Sequence, residues 1–245
     1  MMGTGYNPRI ATDGLVFALD AANPRCYAGT GLTASSLVNS INLSLASGVG
    51  YTTTNGGNFT FSGALQYMTT PASAFFNFGS GDCCIELVSF FNASTSSDNA
   101  YRMGFCFGTT GSTYLFLIKW RSGISNGVVV DYSVSGSRYT ITTHTTVPSP
   151  NVANTITSPL YDVNNKWTHF IVQISSNIMT LYVNSVALGS VTLTARWNTN
   201  LDLGIGGGQG DYMSGNIPLL KVYNRALSAA EIRQNYNATK GRYGL

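Results

Sequence analysis

Apolar residues along this chain fall into short runs separated by stretches of Ser, Thr, Gly and Asn. The runs LVFALD (15–20), NFTFSG (58–63), DCCIELVSFF (82–91), YRMGFCFG (101–108), TYLFLIKW (113–120) and GVVVDYS (127–133) have the length of strands and are bounded by turn-forming residues. KWTHFIVQIS (166–175) alternates, with Phe170, Val172 and Ile174 on one face and Trp167, His169 and Gln173 on the other, and short turns lead on into IMTLYVN and VALGSVTL. The polar tip NASTSSDN and the turn RSGISNG predict two hairpins, one joining 82–91 to 101–108 and one joining 113–120 to 127–133. Residues 21–58 predict an irregular crossing with at most one or two short strands, the kind of long loop that is functional or draped over a sheet. Phe75, Phe76 and Phe78, in a loop after Pro71, are expected to form a core cluster.

A helical period is found only near the end. Residues 214–224 carry Ile217, Leu219, Leu220, Val222 and Tyr223 in a strand-length run, and Ser228 then opens a helix with Glu231 three places on, a capping box. Leu227 and Ile232 stand at the positions of a hydrophobic staple. A helix of about ten residues is marginal alone, and Ile232 and Tyr236 give it one apolar stripe, so it must dock on the body of the fold. The pattern predicts an all-β fold: a jelly-roll sandwich of two antiparallel sheets with one short C-terminal helix, as a single domain over residues 14–245 behind a polar N-terminal arm, residues 1–13.

Composition sharpens this picture. Charged residues make up 9% of the chain against a usual share of about a quarter, so the surface is largely hydroxyl and amide. The net charge of +3 is spread out, with no basic run, which argues against a nucleic-acid partner. No apolar run approaches a membrane span. The opening MMGTGYNPRIATDG has no apolar h-region, so synthesis in a cytosol without a signal peptide is expected. Cys26, Cys83, Cys84 and Cys106 form no C-x-x-C pair and are expected to be buried free thiols. The Asn-x-Ser/Thr matches at Asn42, Asn58, Asn92 and Asn237 then reflect composition alone.

GLVFALDAANPRCY (14–27), KWTHFIVQISSNIMTLYVNSVALGS (166–190) and DLGIGGGQGDYMSGNIPLLKVYNRALSAAEIRQNYN (202–237), in that order, resemble the laminin-G-like, concanavalin A-like jelly-roll family. The resemblance spans residues 14–243 and implies that the first strand lies beside the last. The opening and closing forms look most like those of virion proteins of tailed bacteriophages, cyanophages in particular. Where the family often carries Phe-Asp-Gly and Asp-Tyr, this chain reads Phe61-Ser62-Gly63-Ala64-Leu65-Gln66-Tyr67 without a carboxylate. The calcium that some members bind is therefore not expected, since calcium usually takes at least one carboxylate, and no other cofactor is implied.

The superfamily also includes glucanases whose catalytic strand resembles Glu-x-Asp-x-Glu. Here the nearest match, Asp82-Cys83-Cys84-Ile85-Glu86, lacks the middle acid, and retaining hydrolysis needs two carboxyl groups about 5 Å apart. Glu86 is expected instead to be a strand residue hydrogen-bonded to a neighbour. His144 and His169 lie far apart without a third ligand, no Gly-x-Ser-x-Gly elbow occurs, and Gly206 to Gly210 lead into a strand rather than a helix, so neither zinc, acyl-transfer nor phosphate chemistry is indicated. No catalytic or metal-binding residues are assigned.

Sugar binding needs aromatic faces together with amides and carboxylates. Trp197, Asn198 and Asn200 in one rim segment and Gln209, Asp211 and Tyr212 in another supply them, and Trp120-Arg121 with Asn126 is a weaker set. The expectation is a non-enzymatic phage structural protein, made in the host cytoplasm and located on the virion, present in many copies among other virion proteins and touching host-surface polysaccharide. The alternative is a structural decoration or fibre component held by the polar arm without sugar binding.

Overall fold

The computed structural model describes residues 9–92, 101–108, 116–121, 127–134, 137–143, 154–157, 162–208 and 211–245. Among them the chain forms β1 (Leu15–Asp20), β2 (Thr33–Ser35), β3 (Asn42–Leu45), β4 (Gly50–Thr52), β5 (Asn58–Ser62), β6 (Met68–Thr69), β7 (Cys83–Phe91), β8 (Tyr101–Phe107), β9 (Phe116–Arg121) and β10 (Gly127–Val134). There follow β11 (Ser137–Thr142), β12 (Asn154–Thr157), β13 (Trp167–Ser175), β14 (Ile178–Val183), β15 (Val186–Thr192), β16 (Leu203–Ile205), β17 (Gly207–Gly208), β18 (Asp211–Tyr212), β19 (Ser214–Tyr223) and the helix α1 (Ala229–Tyr243). An eight-stranded sheet runs β15-β14-β13-β7-β19-β5-β4 with β1 also on β19, and a nine-stranded sheet runs β12-β11-β10-β9-β8-β16-β6-β3-β2. The strands pair antiparallel except β11 with β12. This is the two-sheet jelly roll that the strand pattern predicts.

Alternation along the strands builds the core. Phe17, Leu19, Phe59, Ile85, Leu87, Phe170, Val172 and Leu220 of one sheet meet Phe105, Phe107, Phe116, Ile118, Val130, Tyr132 and Leu203 of the other. The first strand lies against the last as expected, Leu15 opposite Tyr223 and Asp20 opposite Leu219. β19 serves two partners in succession: Ser214 to Ile217 pair with β5, and Leu219 to Tyr223 pair with β1. Pro218 stands at the change, where its missing N–H is no loss, and its carbonyl accepts from Ala21 N at 2.8 Å.

Three local expectations are corrected. Residues 82–91 and 101–108 do not form a hairpin: β7 lies between β13 and β19 in one sheet and β8 lies in the other. The physical reason is that β7 is filled on both faces, Ile85 and Leu87 toward the sandwich and Cys84, Glu86 and Val88 away from it, as befits a central strand. The crossing at 21–58 holds three short strands, β2 and β3 on one sheet and β4 on the other. Of the three phenylalanines, Phe76 and Phe78 are buried, and Phe75 is 43% exposed.

The helix is longer than the apolar stripe suggests, fifteen residues, because its buried side is Ile232, Asn235, Thr239 and Tyr243 rather than Ile232 and Tyr236. The capping box forms as read, Ser228 accepting from Glu231 N while Glu231 accepts from Ser228 N at 2.8 Å. α1 lies on the outer face of the eight-stranded sheet, over Cys84, Ile171 and Tyr223 at one end and Val88 and Leu219 at the other. Between these apolar patches is a buried polar centre. Glu86, fully buried, stands opposite Lys221 in register and takes its ammonium at 2.8 Å, His169 Nε2 at 3.2 Å and Asn235 Nδ2 at 2.6 Å. Asn235 also receives Ala11 N at 2.8 Å, and Tyr223 donates to the Ala11 carbonyl at 3.1 Å. Residues 9–13 thus run along the helix.

Removing one partner of a buried pair leaves the other charge uncompensated, at about 3–5 kcal/mol, whereas loss of an N-cap costs about 1 kcal/mol. Thermal unfolding should therefore place Glu86→Ala far below the native chain and Ser228→Ala a few degrees below it. Equal midpoints for the two variants would refute this ranking.

Acid should act through the same contacts. Burial pushes the Glu86 carboxyl up, but Lys221 and His169 more than offset it and hold it at about 2. Glu231, bonded by Arg225 and the cap, is also held at about 2. A carboxyl lowered on folding contributes stability that is present above its unfolded value of about 4.3 and is lost as pH falls through the folded one. The unfolding midpoint should drop between pH about 4.3 and about 2, and the drop should be smaller in Glu231→Gln.

Candidate ligand-binding face

The outer face of the nine-stranded sheet is built from the residues alternate to the core. On β9 and β10 the core takes Ile118, Trp120, Val130 and Tyr132, which leaves Leu117, Lys119, Val129 and Asp131 on the other side. β9 carries Lys119 and Arg121 and β10 carries Asp131 among mainly apolar residues, and the pairing of Val129 with Lys119 sets Lys119 and Asp131 diagonally across the two strands. The Lys119 ammonium lies 3.8 Å from Asp131 Oδ2 and 3.8 Å from Asp211 Oδ2, the Lys119 residue being only 6% exposed. Asp131 in turn accepts from Thr140 Oγ1 at 2.6 Å and from the Arg138 guanidinium. Burial pulls the Lys119 ammonium below its ordinary value, and the two carboxylates work against that.

Asp211 belongs to a small hairpin, β17 with β18, that folds onto this face. Gly207 pairs with Tyr212 and Gly208 with Asp211, and the Gly207 carbonyl faces Cys106 Sγ at 3.8 Å. The Tyr212 ring is held 6.2 Å from that of Tyr67, at 32°, both half-buried. Gly207 makes that approach possible: a Cβ there would come 2.7 Å from Tyr212 Cδ1 and 3.0 Å from Tyr67 Cβ. Beside Tyr67 the turn is open, with Leu65 70% exposed and in the left-handed region at φ 42°, a backbone state a leucine adopts only where its surroundings hold it there.

The residues singled out from the sequence do not form one rim. Trp197 is 4% exposed, its ring 4.7 Å from that of Tyr132 and its amide donating to the Tyr132 hydroxyl at 3.0 Å. It is a core residue with no face for a ligand, because the segment after β15 tucks it between Phe78, Phe116 and Tyr132. Asn198 and Asn200 are exposed, and Asn200 accepts from Asn77 at 3.3 Å. β16, three residues and so about 7 Å from first Cα to last at about 3.3 Å per residue, stands between this segment and Asp211 and Tyr212 along the chain. Gln209 lies outside the described residues, as do Asn126 and His144. Trp120 is buried, its ring 5.9 Å from Phe91. Trp167, half-buried, packs 5.1 Å from Tyr243 on the helix side.

Tyr67, Lys119, Asp131 and Arg138 were not picked out by the sequence reading. Alternation with the core residues Ile118, Trp120, Val130 and Tyr132 puts Lys119 and Asp131 on the outer face, but only strand register and the fold of the 207–212 hairpin bring them to Asp211. The two acids of the segment nearest to a glucanase strand have separate partners: Glu86 is sealed under α1, and Asp82 accepts from Ser175 Oγ and Ser176 N, each at 2.9 Å. Glu86 does hydrogen-bond its neighbours, as expected. All four cysteines are buried free thiols.

A family model described as the concanavalin A-like lectin/glucanases superfamily matches residues 73–233. No curated protein matches the chain. Among solved structures, the binding domain of botulinum neurotoxin DC in complex with rat synaptotagmin II superposes with a TM-score of 0.67 at 13% identity, covering 92% of this chain and 51% of that one. The binding domain of Paraclostridial mosquitocidal protein 1 gives 0.65 at 17% identity, over 92% of this chain and 52% of that one. Trypanosoma rangeli sialidase gives 0.65 at 14% identity, over 95% and 34%. The chain spans from a third to about half the length of these structures, and at such identities the likeness is one of fold.

Gly207→Ala should separate the two tyrosines and cost about 1–3 kcal/mol, the range for overpacking. The near-UV circular dichroism of the tyrosines should change while the far-UV sheet signal stays. An unaltered near-UV spectrum and midpoint would show that the hairpin is not held by this contact.

Proposed function

The chain belongs to the concanavalin A-like lectin/glucanases superfamily, and from that premise we propose that it is a lectin-like structural protein of a phage virion, displayed in many copies and touching host-surface glycans. The observation that carries the glycan part is the half-buried Tyr67–Tyr212 pair with Asp211 beside it, on the sheet face opposite the one that α1 covers. Tyrosine faces stack on the apolar side of a pyranose, and carboxylate and phenol groups take its hydroxyls. The similar toxin structures are binding domains, one of them in complex with rat synaptotagmin II, which supports a role in contacting other molecules. The phage-like opening and closing segments support the virion location, with other virion proteins as neighbours.

The proposed role is binding without hydrolysis and without a cofactor. Glu86 is fully buried and bonded to Lys221, so a polysaccharide has no access to it, and Asp82 stabilises the turn at Ser175–Ser176. A weak site repeated over a particle acts through avidity. The chain clustered on beads should therefore bind host cells, and Tyr67→Ala with Tyr212→Ala should reduce that binding by about 10-fold or more, an aromatic contact contributing about 0.5–1.5 kcal/mol beyond its buried area. Clustered native protein that binds neither cells nor a glycan array would sink the lectin reading and leave the purely structural one. Released reducing ends on incubation with laminarin or agarose, abolished in Glu86→Gln, would make it a hydrolase.

A further inference from the structure

We propose that this chain closes an amide bond between its own Lys221 and Asn235 side chains, an autocatalytic isopeptide that ties α1 to β19. The site is the buried polar centre on the helix side of the sandwich, away from the tyrosine face. The parts of such a reaction are assembled on one carboxylate. Glu86 Oε1 accepts from the Lys221 ammonium at 2.8 Å, and Glu86 Oε2 accepts from Asn235 Nδ2 at 2.6 Å. The orientation of the Asn235 amide follows from its partners: Oδ1 accepts from Ala11 N at 2.8 Å, which an amide nitrogen could not do, and Nδ2 also reaches the Tyr223 hydroxyl at 3.0 Å. Nucleophile and leaving nitrogen are thus held by the two oxygens of one acid–base group, each within the reach that proton transfer needs. A backbone N–H already stands at the oxygen on which negative charge would develop, at the distance of an oxyanion donor.

Glu86 and Asn235 are fully buried and Lys221 is 3% exposed. Ile171, Leu227 and Ile232 wall the centre on one side and Val88, Leu219 and Tyr243 on the other, which keeps out the water that would solvate the amine. His169 Nε2, 3.2 Å from Oε1, positions the carboxylate. As a device for stability alone the arrangement is a poor one, since apolar residues of similar volume generally hold elements together as well as a buried ion pair does. The ion pair is the state from which the reaction starts. Glu86 takes a proton from the Lys221 ammonium, and the freed amine adds to Asn235 Cγ, the charge on Oδ1 meeting the Ala11 N–H. Glu86 then passes the proton to Nδ2, the Cγ–Nδ2 bond breaks, and the ammonia that leaves carries off the second proton of Nζ as ammonium. One C–N bond forms and one breaks, and nothing is oxidised or reduced. The carboxylate is held at about 2 by Lys221 and His169 against its burial, so the neutral pair is the minor form, which a reaction that occurs once per molecule tolerates.

Mass spectrometry of the purified full chain tests this. Most native molecules should weigh about 17 Da less than their sequence, the mass of one ammonia. Trypsin does not cut at an acylated lysine, so the digest should contain residues 197–225 linked to residues 234–240. The linked peptide separates this loss from a cyclised Asn-Gly, which also sheds ammonia but joins no two segments. Asn235→Ala should give no link, and Glu86→Gln, which cannot take the proton, should form it at least about 100-fold more slowly. Native protein of full mass without the linked peptide, after prolonged storage at neutral pH, would overturn the proposal and leave the network a positioning contact only. A link formed as fast in Glu86→Gln as in the native chain would overturn the mechanism given to the carboxylate. If neither variant folds, the native peptide map decides.

Discussion

The ion pair of Glu86 and Lys221, closed over by Asn235, is the contact on which the rest of this molecule depends. It sits on the central strands β7 and β19, where β13, α1 and the N-terminal segment also converge. A buried carboxylate is costly unless its oxygens are bonded, and here Lys221 and His169 take one oxygen while Asn235 takes the other. Each donor comes from a different element. The network therefore specifies how those elements meet, and the apolar patches around Ile232 and Tyr243 supply the burial that makes the meeting stable.

That arrangement leaves the sandwich with two unlike faces. The eight-stranded sheet is sealed by a helix held at its start by Arg225 on Glu231, at 2.6 Å, and near its end by Arg242 on Asp20, at 2.9 Å, and on the Asn55 carbonyl, at 2.7 Å. The nine-stranded sheet carries charges of its own, Lys119 and Asp131, with a glycine-based hairpin folded against them. A chain with 9% charged residues thus buries a lysine ammonium against a carboxylate at two points, Lys221 on Glu86 and Lys119 on Asp131, on opposite sides of one core. One serves to position a helix. The other sits beside a pair of aromatic rings that reach solvent.

Glycine has a particular part in the second arrangement. Gly206, at φ 75°, turns the chain where a Cβ would meet the Phe61 ring at 2.3 Å, and Gly207 lets two tyrosines close over the backbone. A loop that composition marks only as permissive is in fact a tightly packed corner. It directs Asp211 to Lys119 and Tyr212 to Tyr67.

Hydrophobic alternation and turn residues determined that the chain is a two-sheet sandwich, and the capping box at Ser228 and Glu231 that a helix follows the strand at 214–224; that the segment at 15–20 lies beside that strand was implied by the family resemblance alone. The first two are local properties: period two, a turn residue or a cap is written within a few positions. Tertiary structure alone decided that β7 and β8 part into different sheets, that α1 buries Asn235 and so extends past its apolar stripe, and that Trp197 is core while Tyr67 and Tyr212 meet. Which strand a segment pairs with, and whether a Trp in a polar loop is covered, depend on residues far away in the chain. Lys119 and Asp211 are such a case, each unremarkable in its own stretch of sequence and joined only because β16 carries the chain across the sheet before the hairpin turns back.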